Sequence, residues 1–204
     1  MIDDLKFIHQ RDKNDALGIA QKQWQQLQKR YDVELSFQSK PSNVVVAGMG
    51  GSALAATYIT SWPGLPVPYQ VVRDYAVPAY VDSNTLFIAS SYSGNTEEVL
   101  SALKQAKKQG AQIVVISAGG KLAEIATKNN NPYYQLTNDF QPRMAVFYNF
   151  SALIDLFVKA ELIDRACLDE LSRAGDFIKE KLEIWKPEIH SKNNKAKEIA
   201  LEFA

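Results

Sequence analysis

Cysteine, histidine and net charge are all scarce in this chain, and each scarcity removes a class of function. The lone cysteine, Cys167, cannot close an internal disulfide, which suits a reducing cytoplasm; a small helix residue is its plain reading, ahead of a nucleophile. The two histidines, His9 and His190, lie in terminal or linker-like stretches, where solvated side chains are expected rather than catalytic ones. No Cys, His or carboxylate set has metal-ligand spacing, so no metal site is expected. Lys and Arg total 23, as do Asp and Glu, so nothing electrostatic draws the chain to nucleic acid or an anionic membrane. No apolar run approaches the ~18 residues of a membrane helix, and no secretory leader opens the chain. A soluble, cytoplasmic protein is expected, in which any anion must be bound locally, by geometry.

What is present is a regular alternation. Short, unbroken apolar runs (Val44 to Ala47, Tyr69 to Val72, Leu86 to Ala89, Ile113 to Ile116 and Tyr133 to Leu136) alternate with helix-like stretches at Ala53 to Ala56, Val99 to Lys108 and Leu122 to Asn129. Apolar runs without polar alternation are the mark of strands buried on both faces of a parallel sheet. The class is therefore α/β: a three-layer αβα arrangement around a five-stranded, parallel, doubly wound sheet, with flanking helices at both ends. Helical spacing of Leu17, Ala20, Trp24, Leu27 and Tyr31 predicts a leading helix over Asp12 to Tyr31. Further helices are predicted from Gln141 through Val158, from Leu168 to Trp185, and from Ala196 onward after the polar stretch His190 to Lys195. The expected organisation is a leading helix in 1–35, a ligand-binding domain in 36–160, and a helical extension and linker in 161–204.

Two turns carry chemistry. The first follows the first strand as Gly48-Met49-Gly50-Gly51-Ser52; the second follows the third strand as SSYSGNTEE, Ser90 to Glu98. The second packs three hydroxyls (Ser91, Ser93 and Thr96) and a glycine against a fresh helix start. Free first-turn N–H groups, the positive end of the helix dipole and short hydroxyl donors together hold a phosphate without a lysine. An ordinary helix cap at Asn95 or Thr96 accounts for one of these groups but not for all, and Glu97 and Glu98 read first as dipole partners, only secondarily as catalytic acids. Gly48, Gly50 and Ala53 with Asp74 also fit a loose dinucleotide fingerprint, and that alternative stays open. Neither turn has the lysine followed by Ser or Thr of a nucleoside-triphosphate loop, and Gly119-Gly120-Lys121-Leu122 fails it as well. Arg143, behind Pro142 at a predicted strand-to-helix handover, is either an anion contact or a surface ion pair.

GMGGSA (Gly48 to Ala53), RDYAVP (Arg73 to Pro78), SYSGNTEE (Ser91 to Glu98), SAGGKL (Ser117 to Leu122) and QPR (Gln141 to Arg143) occur in the order found in the sugar isomerase (SIS) domain family. The chain resembles in particular the N-terminal half of bifunctional phosphoglucose/phosphomannose isomerases. That resemblance implies a hexose 6-phosphate substrate and no cofactor. It implies phosphate binding by Gly51, Ser52, Ser91, Ser93 and Thr96, and enediolate stabilisation by Arg143 during aldose–ketose isomerisation. It further implies a homodimer in the full-length protein, and a general base supplied by a second domain of the same type or a neighbouring subunit, so that this chain alone is inactive. A module of this family that senses a sugar phosphate without chemistry is the alternative, since it would share every phosphate contact.

Overall fold

Acidic side chains set the first two helices. In the computed structural model, which describes residues 1–203, Asp4 caps α1 (Leu5–Arg11) by accepting the N–H groups of Lys6 and Phe7. Asp12 accepts those of Ala16 and Leu17, 2.7 and 2.8 Å away, and so starts α2 (Ala16–Leu27). The helix predicted over Asp12 to Tyr31 is thus shorter at both ends, because Asp12 is spent as a cap and Tyr31 is buried elsewhere against Tyr134. The cap at Asp4 ahead of Leu5, Phe7 and Ile8 is a start signal that the sequence reading passed over.

The chain divides into two compact units. The first joins Met1–Gln28 to the chain from Glu170 onward. It holds α1, α2, α7 (Ala166–Trp185) from Glu170 on, and α8 (Lys195–Glu202). Gly175 lets α7 approach α2 closely: a Cβ there would stand 3.1 Å from the Trp24 carbonyl oxygen. Gln28 fastens the contact by donating to Asp176, 2.7 Å away. The polar stretch His190 to Lys195 is structured, with a short 3-10 helix at Ser191–Asn193 and a buried Asn194 that caps α8. Lys197, also buried, donates to Asp3 and to the Pro187 carbonyl.

The second unit, Lys29–Asp169, contains the sheet. Its strands are β1 (Asn43–Gly48), β2 (Tyr69–Val72), β3 (Thr85–Ser90), β4 (Gln112–Ser117) and β5 (Tyr133–Gln135), all parallel and ordered β2-β1-β3-β4-β5. Side chains alternate between the two faces. Val45, Ala47, Phe87, Ala89, Ile113 and Val115 pack with Val99, Ala102, Leu103 and Ala106 of α4 (Glu97–Lys108) and with Leu122 and Ala126 of α5 (Gly120–Asn129). The opposite face carries α3 (Gly50–Tyr58) and α6 (Val146–Lys159), which completes three layers. α6 crosses this face: Phe157 meets Tyr69 of β2 edge to face, Asn149 accepts from Ser90 of β3, and Asp155 accepts from Tyr134 of β5. Asn149 through Phe157 are all buried, so α6 serves the core of this unit. Among the described residues no helix is long and apolar enough to cross a membrane.

Candidate functional site

The strand order decides where a ligand can sit. From β1 the chain crosses to β2 on one side, and β3 then adds on the other, so the connections leave the carboxyl ends of β1 and β3 in opposite directions and open a crevice between them. Gly48 and Ser90 end these strands and are direct partners across the pair. A Cβ on Gly48 would stand 3.2 Å from both the Ser90 carbonyl and the Ala53 amide nitrogen, so glycine allows strand and helix to converge at the crevice. Both turns singled out in the sequence open here.

In the first turn, α3 begins at Gly50, three residues before the predicted start, so Gly50-Gly51-Ser52 is itself the helix's first turn. Met49 stands at the cap position in extended backbone without a side-chain bond, and Gly50 takes φ 50°. The N–H groups of Ser52 and Ala53 turn back onto the Met49 carbonyl, which leaves those of Gly50 and Gly51 as the pair the helix does not use. Ser52 is buried. The carbonyl of Pro142 lies 3.0 Å from where a Gly51 Cβ would be, so the segment carrying Arg143 rests on this turn.

In the second turn, the Ser91 hydroxyl lies 2.7 Å from that of Thr96 and 3.5 Å from that of Ser93. Ser91, 3% exposed, forms the floor, with Ser93 exposed and Thr96 half-buried above it. Thr96 occupies the cap position of α4, yet its side chain makes no capping bond, its hydroxyl being turned to Ser91. Asn95, the other cap candidate, instead accepts the Lys121 N–H at 3.0 Å and donates to the Ser93 carbonyl. The positive end of α4 thus faces the crevice uncapped, beside three clustered hydroxyls.

The glycine turn ahead of α5 is used differently. Leu122 donates its N–H to the Gly94 carbonyl and Lys121 donates to Asn95, so first-turn amides of α5 are consumed by the neighbouring turn. Gly94 and Gly120, with φ 69° and 68°, pack backbone against backbone there. These clamps were not apparent from the sequence. Gly94 shows its need for a left-handed backbone, but nothing along the chain announces that Gly119 is its partner.

Arg143 lies in the short 3-10 helix Pro142–Met144 that precedes α6; the prediction of one continuous helix from Gln141 missed this break. It is exposed, and among the described residues its guanidinium makes no hydrogen bond or ion pair. Glu97 is exposed and Glu98 half-buried in the first turn of α4. Glu98, with burial and Glu97 adding to it, raises the Tyr75 phenol above its ordinary pKa, so these acids face the loop after β2. Asp74, in that loop, accepts the Tyr75 N–H at 2.6 Å. His9 lies in the last turn of α1 and His190 caps the 3-10 helix at Ser191–Asn193, both in the first unit, and Cys167 is half-buried near the start of α7.

A doubly wound parallel sheet covered by helices on both faces, with two glycine- and hydroxyl-rich turns at its switch point, defines a three-layer αβα protein. More narrowly, the chain belongs to the SIS domain family, whose model matches residues 36–137. A bifunctional phosphoglucose/phosphomannose isomerase of Caldicellulosiruptor bescii is 40% identical over 186 residues, 88% of this chain and 55% of that protein. A D-glucosamine-6-phosphate 4-epimerase of Sulfolobus acidocaldarius is 41% identical over 108 residues, 52% of this chain and 34% of that protein. The chain spans about half, or less, of the length of these curated relatives. Among solved structures, the C-terminal domain of a glucosamine-fructose-6-phosphate aminotransferase from Francisella tularensis matches with a TM-score of 0.51 at 18% identity, over 82% of this chain and 53% of that one, a likeness of fold.

Proposed function

We propose that this chain is the phosphate-binding half of an aldose–ketose isomerase that interconverts glucose 6-phosphate or mannose 6-phosphate with fructose 6-phosphate. The observation that carries the reading is the Ser91, Ser93 and Thr96 hydroxyl cluster at the uncapped start of α4, beside the Gly50 and Gly51 amides. The 6-phosphate accepts hydrogen bonds from these hydroxyls and from first-turn amides of α3 and α4, with Ser52 beneath. Holding this inert end fixes the sugar, so that its first two carbons reach past the cradle toward Arg143. A base removes the proton beside the carbonyl, the enediolate forms with its charge against the Arg143 guanidinium, and the proton returns at the neighbouring carbon. Proton transfer alone completes this redox-neutral reaction, with no metal or redox cofactor. The base is assigned to no residue here; it belongs to a second domain of the same type or to a partner subunit, and this chain alone is inactive.

Titrating the isotope-labelled chain with fructose 6-phosphate and, separately, NADH tests the reading. Amide shifts at Gly51, Ser91, Ser93 and Thr96 with the sugar phosphate are expected. Saturable NADH binding without a sugar-phosphate response would favour a dinucleotide site instead, and turnover of fructose 6-phosphate by the purified chain would disprove the missing base.

A further inference from the structure

Between Ser91 and Ser93 stands a side chain that the phosphate site does not use. Tyr92 is 8% exposed, and its hydroxyl accepts the Phe140 N–H at 3.0 Å. Its main chain is fixed independently: the Tyr92 carbonyl accepts the Ala118 N–H at 2.9 Å, and the flanking Ser91 N–H is held by Ile116. Phe140 lies three residues before Arg143, in the loop between β5 and the 3-10 helix. Its ring rests on Tyr148, which ties the loop to the helix that follows it. The Tyr92 bond ties the same loop to the turn carrying Ser91, Ser93 and Thr96. Burial holds the phenol above its ordinary pKa, so the acceptor is a neutral hydroxyl at neutral pH.

We infer that Tyr92 is a positioning residue, which sets the Arg143 loop at a fixed distance from the phosphate cradle through its hydroxyl bond to the Phe140 amide. Ser91 and Ser93 on either side of Tyr92 face the phosphate, so one short turn would grip the inert end of the substrate and register the cation meant for its reacting end. The role rests on the phosphate-cradle reading proposed above. Sequence alone hides it, because an aromatic residue between two serines reads as core filling.

Tyr92→Phe removes one oxygen and keeps the ring. In the full 204-residue chain, amide hydrogen exchange at Phe140 is expected to quicken about tenfold in the variant, the loss of one modest hydrogen bond. In a fructose 6-phosphate titration followed by NMR, the Ser93, Thr96 and Glu97 amides should respond with the same dissociation constant in both proteins. The Arg143 resonances should respond in the wild type and fall silent in the variant. A merely structural role would weaken both sets together, and that outcome overturns the assignment. An equal Arg143 response, unchanged Phe140 exchange or global unfolding of the variant overturns it as well, since a latch confined to one loop leaves the sheet intact. Should neither protein respond to fructose 6-phosphate, the cradle reading fails. Phe140 exchange then decides the latch alone, a faster rate upholding the tether and an unchanged one rejecting it.

Discussion

The carbonyl oxygen of Gly119 occupies the space where a side chain on Gly94 would begin. The two glycines belong to neighbouring turns at the carboxyl edge of the sheet, and their contact is backbone on backbone, with no flexible side chain to yield. Gly94 also has φ 69°, where a residue with a Cβ is strained by about 1–2 kcal/mol before any clash. Gly94→Ala should therefore cost roughly 3 kcal/mol or more in chemical denaturation. Gly64 is the control: its φ of 74° is similar, but a Cβ there meets nothing within 4 Å. Gly64→Ala should show the strain alone, and equal losses at the two sites would mean that the close approach is unimportant.

Ser90 and Asn149 join β3 to α6 in a place water does not reach. Both are buried, and the Ser90 hydroxyl donates to the Asn149 side-chain oxygen at 3.0 Å, while the Asn149 amide group donates to the Ala145 carbonyl. Ser90→Ala strands that oxygen, so a loss of about 1–3 kcal/mol in unfolding free energy is expected. Exchanging both residues for apolar ones of matching size should cost less than the two single changes added together. Strict additivity would show that the pair does not act as a unit.

These two contacts also mark where reading the sequence stops. Strands could be placed to within a residue because Val44 to Ala47 and Leu86 to Ala89 are short runs apolar on both faces, the pattern typical of a covered parallel sheet. The turns were visible for the same local reason, since glycines and hydroxyls follow directly on a strand end. Partners from distant segments leave no such mark. Tyr92 reaching Phe140, Asn95 serving Lys121 rather than its own helix, and Pro142 pressing on Gly51 depend on how neighbouring connections stack above the sheet. Local rules assigned Asn95 or Thr96 to the α4 cap; Thr96 takes that position with its hydroxyl turned to Ser91 in the same turn, and a tertiary contact claims Asn95 for the Lys121 N–H.

Buried phenols make the fold sensitive to alkali. Burial raises the pKa of Tyr31, Tyr69 and Tyr134 well above the 10.0 of a free phenol, with Asp155 adding to the effect at Tyr134. In the unfolded chain these groups ionise near 10, so above that pH the unfolded state releases protons that the folded state keeps. Their stabilisation is complete below pH 10 and drains away as pH rises toward the folded values. Of the nine tyrosines, these three should stay silent in a phenolate absorbance titration until circular dichroism reports unfolding, then ionise together. Ionisation of all nine near pH 10 with the dichroism intact would contradict their burial.

Ser91 and Ser93 allow architecture and the proposed phosphate binding to be tested separately within one turn. Ser93 is exposed, and its hydroxyl is 3.3 Å from the Asn95 nitrogen and 3.5 Å from Ser91, so removing it disturbs little; Ser93→Ala should move stability by no more than about 0.5 kcal/mol. A hydrogen bond to a charged phosphate contributes about 1.5–3 kcal/mol, so the same change should weaken fructose 6-phosphate binding roughly tenfold or more. Ser91→Ala deletes the buried partner of Thr96 and should lower both stability and affinity. Thermal melts beside sugar-phosphate titrations of the two variants distinguish the cases. A Ser93→Ala protein that binds as tightly as the wild type would place the phosphate elsewhere in the crevice, on the α3 amides rather than the hydroxyl turn.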